Sequence, residues 1–125
     1  MGIKLDMVGI VVKDMKKSLD FYRLLGFTIP ESENEEQHVE VEQSGFRLAF
    51  DTQEIAKAVY GSWEEPTGHR IELAFSCESD ESVNKVYEKI INSGYDGYRE
   101  PWDAFWGQRY AIVKEPDGNL ISLYA

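Results

Sequence analysis

The chain has 125 residues, 42% apolar and 13% aromatic, which is enough for one domain with a real core and too apolar for wholesale disorder. A formal net charge of -10 at pH 7 argues against nucleic acid, because phosphate contacts need clustered Lys and Arg, and against an anionic membrane surface. No run of about 18 apolar residues occurs, residues 1–4 carry no signal-peptide h-region, and the one cysteine, Cys77, cannot form an internal disulfide, so a cytoplasmic protein is expected.

Taken in order, the elements occur twice. Residues 5–12 read as a strand. Residues 15–25 read as a helix, with Met15, Leu19, Tyr22 and Leu25 on one stripe, Asp14 as N-cap and Gly26 as its left-handed end. Three strand-like runs complete the first copy. Among them, Val39 and Val41 alternate with His38, Glu40 and Glu42, and Phe46, Leu48 and Phe50 alternate with Arg47, Ala49 and Asp51. A linker over 52–68 follows, with a helical turn expected at 55–60 and the aromatic pair Tyr60 and Trp63.

The second copy opens with a strand over 70–77 and a helix over 80–92, capped by Ser79 and ended by Gly94. In that strand Leu73, Phe75 and Cys77 alternate with Glu72, Ala74 and Ser76. The greasy side should pack on helices and the other should line something open. Residues 108–114 and 119–124 flank Pro116, Asp117 and Gly118, a hairpin signal. A period of about 65 residues is too long for a solenoid, so the chain reads as one internally duplicated domain: module one 5–51, linker 52–68, module two 69–125.

Chemistry concentrates in the second module. Trp102, Phe105, Trp106 and Tyr110 fall within residues 101–110, more aromatic surface than so small a core needs, and such rings stack on planar groups or cations. Glu72 points to the open side by its parity, where a cation would satisfy it, as would Arg47 or Arg70 in a salt bridge. Buried without a partner, it would be a base of raised pKa. Arg47 and Arg109 could grip a ligand carboxylate, or pair at the surface. Cys77 reads as a buried, inert thiol, and no His is placed to make a triad with Ser122.

Three stretches together resemble the vicinal oxygen chelate superfamily of glyoxalase I, bleomycin-resistance proteins and ring-cleaving dioxygenases. They are residues 7–14 (MVGIVVKD), residues 18–27 with Ser18, Leu19, Asp20, Phe21, Tyr22, Leu25, Gly26 and Phe27, and residues 115–121 (EPDGNLI). The resemblance implies an α+β fold of two tandem βαβββ modules curled into a U-shaped half-barrel, and a homodimer. It implies that residues 101–110 form a loop over the ligand, although Trp102 and Trp106 could instead plug the barrel end or a dimer seam. It also implies four inward ligand positions, which fall on Met7, Ala49, Glu72 (or His69 if the register slips) and Ser122.

Those four residues offer one good donor, where a transition metal needs three or four, so the expectation is no metal and no cofactor. A site for a divalent transition metal rebuilt from His69, Glu72 and a carboxylate such as Glu40, Glu42 or Asp103 is the alternative; His38, among acidic neighbours, reads as a solvated strand face. The expected function is sequestration of a small molecule, aromatic or cationic, in the manner of drug-resistance proteins. The expected ligand-binding residues are Met7, Arg47, Ala49, Glu72, Trp102, Phe105, Trp106, Arg109, Tyr110 and Ser122. The competing expectations are a metal-dependent lyase, thiol transferase or dioxygenase, and a metal-free enzyme with Glu72 as base.

Overall fold

Strand β1 (Met7–Val12) leads directly into helix α1 (Met15–Leu24) in the computed structural model of the chain, which describes residues 2–125. Asp14 between them is extended and its side chain accepts from the Lys17 amide, so the helix starts where the sequence predicts. Gly26 closes it at a φ of 100°, a left-handed turn that a side chain would strain. A 3-10 helix (Glu31–Glu35), β2 (His38–Gln43), β3 (Phe46–Thr52) and α2 (Gln53–Tyr60) follow. The second copy comprises β4 (Glu72–Ser76), α3 (Asp80–Asn92), β5 (Asp96–Asp103), β6 (Arg109–Lys114) and β7 (Leu120–Tyr124). The chain divides into two compact units, Met1–Pro66 and Thr67–Ala125, each with its own open sheet.

In the first unit the sheet order is β1-β3-β2, with β1 parallel and β2 antiparallel to β3. The register fixes the parity that the sequence left ambiguous. Val8 and Ile10 share a face with Leu48, Phe50, Val39 and Val41, whereas Met7, Gly9 and Val11 share the other with Arg47, Ala49, Asp51, His38, Glu40 and Glu42. Phe50, Leu19, Phe21, Tyr22 and Val12 are fully buried, and the Tyr22 ring lies 4.9 Å from that of Phe50. Each such side chain contributes roughly 1.5–3 kcal/mol by leaving water.

Two expectations change here. Three strand-like runs are expected after α1 in the first copy, whereas two strands, β2 and β3, form there and residues 31–35 make a 3-10 helix. Pro30 lacks a ladder donor, and Glu31, Glu33, Glu35 and Glu36 offer no apolar alternation to bury. The linker in turn is more ordered than a helical turn. α2 runs two residues further back, because the Thr52 hydroxyl caps it by accepting from Ile55, and Gly61 ends it with φ 89°.

In the second unit the order is β4-β7-β6-β5, with β4 parallel to β7 and the other pairs antiparallel. The greasy face carries Leu73, Phe75, Ile121, Leu123, Ala111 and Val113, and α3 packs on β5 and β6 through a stripe that includes the buried Val83 and Ile90. Ser79 caps α3 through the Ser82 amide. The β6–β7 hairpin is held by the buried Glu115, whose Oε1 accepts from the amides of Asp117 and Asn119. Burial raises the pKa of that carboxyl, although the two amide bonds oppose the shift.

Candidate functional site

The helix-free face of the second sheet carries a row of aromatic rings. Register places Trp102 (β5) beside Tyr110 (β6), and Tyr110 beside Tyr124 (β7). Trp102 and Tyr110 meet at 5.3 Å between centroids, and Tyr110 and Tyr124 are stacked at 6.2 Å. Trp106, from the β5–β6 turn, stands edge-on to both Trp102 (6.3 Å, 89°) and Tyr110 (5.4 Å, 78°), making walls at near right angles. The turn is tied by the Ala104 amide to the Gln108 carbonyl, and Gly107 passes through φ 99°. Trp106 Nε1 donates to Gln108 Oε1 at 2.8 Å, which fixes the indole. Phe105, at the tip, is 97% exposed and touches Trp106 edge-on at 5.0 Å.

Polar groups of the same face flank the row. Glu72 lies across β7 from Lys114, and the Tyr110 hydroxyl reaches its Oε1 at 3.5 Å. Glu72 is exposed and in no ion pair among the described residues; Arg47 is paired elsewhere. Ser122 sits between Ala74 and Ile112, wholly buried, and its Oγ has no hydrogen-bond partner among the described residues. A buried hydroxyl left without a partner costs about 1–3 kcal/mol. Arg109 lies on the opposite parity from Tyr110. Its Nε donates to Asn84 Oδ1 on α3 at 3.0 Å and its Nη1 to Asp103 Oδ1 at 3.1 Å, so it ties β6 to the helix. Cys77 is half-buried, and desolvation raises its thiol pKa.

The corresponding face of the first unit is charged. His38 Nδ1 meets Asp51 Oδ1 at 2.5 Å and its Nε2 meets Glu40 Oε2 at 2.9 Å. Glu40 Oε1 accepts from Arg47, which also pairs with Asp6. The result is a chain of alternating charge running Asp51, His38, Glu40, Arg47, Asp6. The bonds to Glu40 and then Asp51 raise the His38 pKa, and the His38 bond lowers that of Glu40. Ala49 shares this face and is wholly buried, while Met7 lies beside Arg47 at the edge.

The donor set is a poor match for a transition metal. In the first unit Met7 offers a soft thioether and Ala49 nothing; in the second Glu72 offers a carboxylate and Ser122 a neutral hydroxyl. His38 has both ring nitrogens engaged by carboxylates, and His69 lies edge-on to Tyr98 at 5.9 Å. No group of three or more His, Cys, Asp or Glu forms a metal-holding cluster among the described residues, and no helix among them is long and apolar enough to cross a membrane.

Of the residues singled out in the sequence, Trp102, Trp106, Tyr110, Glu72 and Ser122 share one face of the second sheet or its bordering turn, with Phe105 at the turn tip. Met7, Arg47 and Ala49 share one face of the first. Tyr124 belongs to the aromatic row and was missed, although its parity with Ser122 was available. The His38 chain depends on cross-strand partners, which no local pattern reveals.

A family model described as Glyoxalase/Bleomycin resistance protein/Dioxygenase superfamily matches residues 4–123. The chain is 27% identical, over 98% of both sequences, to the uncharacterized protein YraH of Bacillus subtilis (strain 168). Among solved structures, a glyoxalase/bleomycin resistance protein/dioxygenase family enzyme from Burkholderia phytofirmans PsJN superposes with a TM-score of 0.84 at 20% identity, covering 95% of each chain. A hypothetical protein from S. aureus superposes with a TM-score of 0.82 at 21% identity, covering 100% of this chain and 95% of that one.

Proposed function

This chain belongs to the Glyoxalase/Bleomycin resistance protein/Dioxygenase superfamily, and on that premise we propose that it binds and sequesters a small aromatic molecule on the open face of its second sheet, with the superfamily's metal chemistry lost. One observation carries this. Trp102, Tyr110 and Tyr124 form a continuous row on the sheet face that α3 does not use, with the half-exposed Trp106 set across its end. Core packing accounts for the other face, so these rings are free to take a planar guest by stacking and edge contacts. The donors of each unit support the second half of the proposal: Met7 and Ala49 offer a soft thioether and nothing, and Glu72 and Ser122 one carboxylate and a neutral hydroxyl.

Equilibrium dialysis against a panel of planar aromatic compounds, neutral and cationic, tests the reading. Saturable binding is expected, with Trp102→Ala and Tyr110→Ala each lowering affinity about tenfold, the scale of one lost stacking contact. If no panel compound binds and turnover is found instead, the sequestration reading fails. The Tyr110–Glu72 contact then favours a metal-free enzyme, and Glu72→Gln should abolish that turnover.

A further inference from the structure

Ser122 is wholly buried on the face of the second sheet that α3 leaves uncovered, and its Oγ has no hydrogen-bond partner among the described residues. Ala74, its neighbour across the ladder on the edge strand, is exposed. What covers the serine follows from register. Glu72 on β4 is level with Leu120, two residues before Ser122, and Tyr110 on β6 is level with Tyr124, two residues after it. Strands β4 and β6 flank β7, so Glu72 and Tyr110 stand at opposite corners around Ser122. Their side chains meet all the same, with the Tyr110 hydroxyl 3.5 Å from Glu72 Oε1. A contact on that diagonal passes over Ser122, which lies midway between its two ends.

We propose that Tyr110 is a gate over a hidden polar subsite at Ser122, latched by Glu72, and that the aromatic guest carries a small hydrogen-bonding group, a carbonyl or a hydroxyl, which reaches Ser122 Oγ when the gate opens. The inference rests on the aromatic-guest reading above and adds the polar group that its guest must carry. The latch is weak, because 3.5 Å is the outer limit of a hydrogen bond. Breaking it moves the hydroxyl end of the ring off the serine. Edge contacts with Trp102 and Trp106, at 5.3 and 5.4 Å between centroids, hold the ring itself in the aromatic row. Closure leaves a buried hydroxyl unsatisfied, which destabilises the closed form. A guest group that pairs with Ser122 removes that penalty only in the open form, so binding shifts the population toward it. A serine hydroxyl both donates and accepts, so it takes either group. A hydrocarbon guest stacks on the row and gains nothing at Ser122.

The probes are acetophenone and its isostere α-methylstyrene, in which a methylene replaces the carbonyl oxygen. Each is titrated by NMR into the wild-type chain, Ser122→Ala and Tyr110→Phe. The expected result is preference of the wild type for acetophenone by about two- to tenfold, the range of one hydrogen bond. Ser122→Ala should lose that preference while its affinity for α-methylstyrene stays unchanged. Its urea midpoint should rise, because the unpaired hydroxyl is gone. Tyr110→Phe keeps the ring and removes the latch. It should bind acetophenone about two- to threefold more tightly, the scale of one long hydrogen bond, and α-methylstyrene as before. Equal affinity for the two probes in the wild type, or a preference that survives Ser122→Ala, overturns the subsite and leaves the aromatic reading standing. A lowered midpoint in Ser122→Ala also overturns it, since the hydroxyl then has a partner in the closed form. Unchanged acetophenone affinity in Tyr110→Phe overturns Tyr110 as the gate. Binding of neither probe overturns the inference, and the dialysis panel decides separately whether the face takes aromatic rings.

Discussion

His38 holds two carboxylates with one ring, and this ties its charge state to the pairing. Nδ1–H and Nε2–H both donate only in the imidazolium form, so Asp51 and Glu40 raise its pKa above the ordinary 6.5. The sign follows from linkage. A group whose folded pKa is raised stabilises the fold fully below its unfolded value, and that stability is lost as pH rises through the folded value. Urea midpoints should therefore fall as pH rises from 6.5 through the raised His38 value. His38→Gln should flatten that slope, and an NMR titration of the His38 ring should place its pKa above 6.5. All the partners are at least partly exposed, so salt should weaken the effect. At the same scale the sequence announced that Glu72 and Ser122 share one side, by simple alternation. It could not announce that Glu72 lacks a cation or that Ser122 Oγ lacks a partner, because both facts depend on strands distant in sequence.

At the scale of elements, α3 lies close to β5 at Gly97. A Cβ there would meet the Tyr87 hydroxyl and come within 3.0 Å of Ile91 Cδ1, so a larger residue fits only if those side-chain ends move, and no left-handed φ is involved. Gly97→Ala should lower stability by about 1–3 kcal/mol in urea denaturation, the cost of overpacking, and adding Tyr87→Phe should restore part of it by removing the hydroxyl. Nothing in residues 96–103 marks Gly97 as such a contact, since the helix that meets it lies outside the strand's own pattern. The caps were legible for the opposite reason. Asp14, Ser79, Gly26 and Gly94 act on backbone groups a few residues away, so their role is written in the local sequence. The first unit's strand count is a correction of the sequence reading: three strand-like runs are expected after α1, whereas β2 and β3 form and the acidic residues 31–35 make a 3-10 helix.

For the molecule as a whole, the net charge of -10 and the scarcity of clustered donors predict how it behaves toward metals. Surface carboxylates bind divalent ions weakly, whereas a tetrahedral His and carboxylate site holds them tightly. Protein purified without a His-tag should thus contain less than one equivalent of transition metal by elemental analysis, and dialysis should remove it. A tightly held stoichiometric ion would reverse the proposed loss of metal chemistry. Sequence alone determined the α+β class, the helix caps and the sided strands, because each depends on periodicity or on contacts within a few residues. The tertiary structure decided what faces what: Arg109 toward α3, Arg47 into the His38 chain, Tyr124 into the aromatic row and Arg99 onto Trp102. Those outcomes rest on strand register and on bulges between β5 and β6, which shift side chains by a residue and which alternation along one strand does not encode.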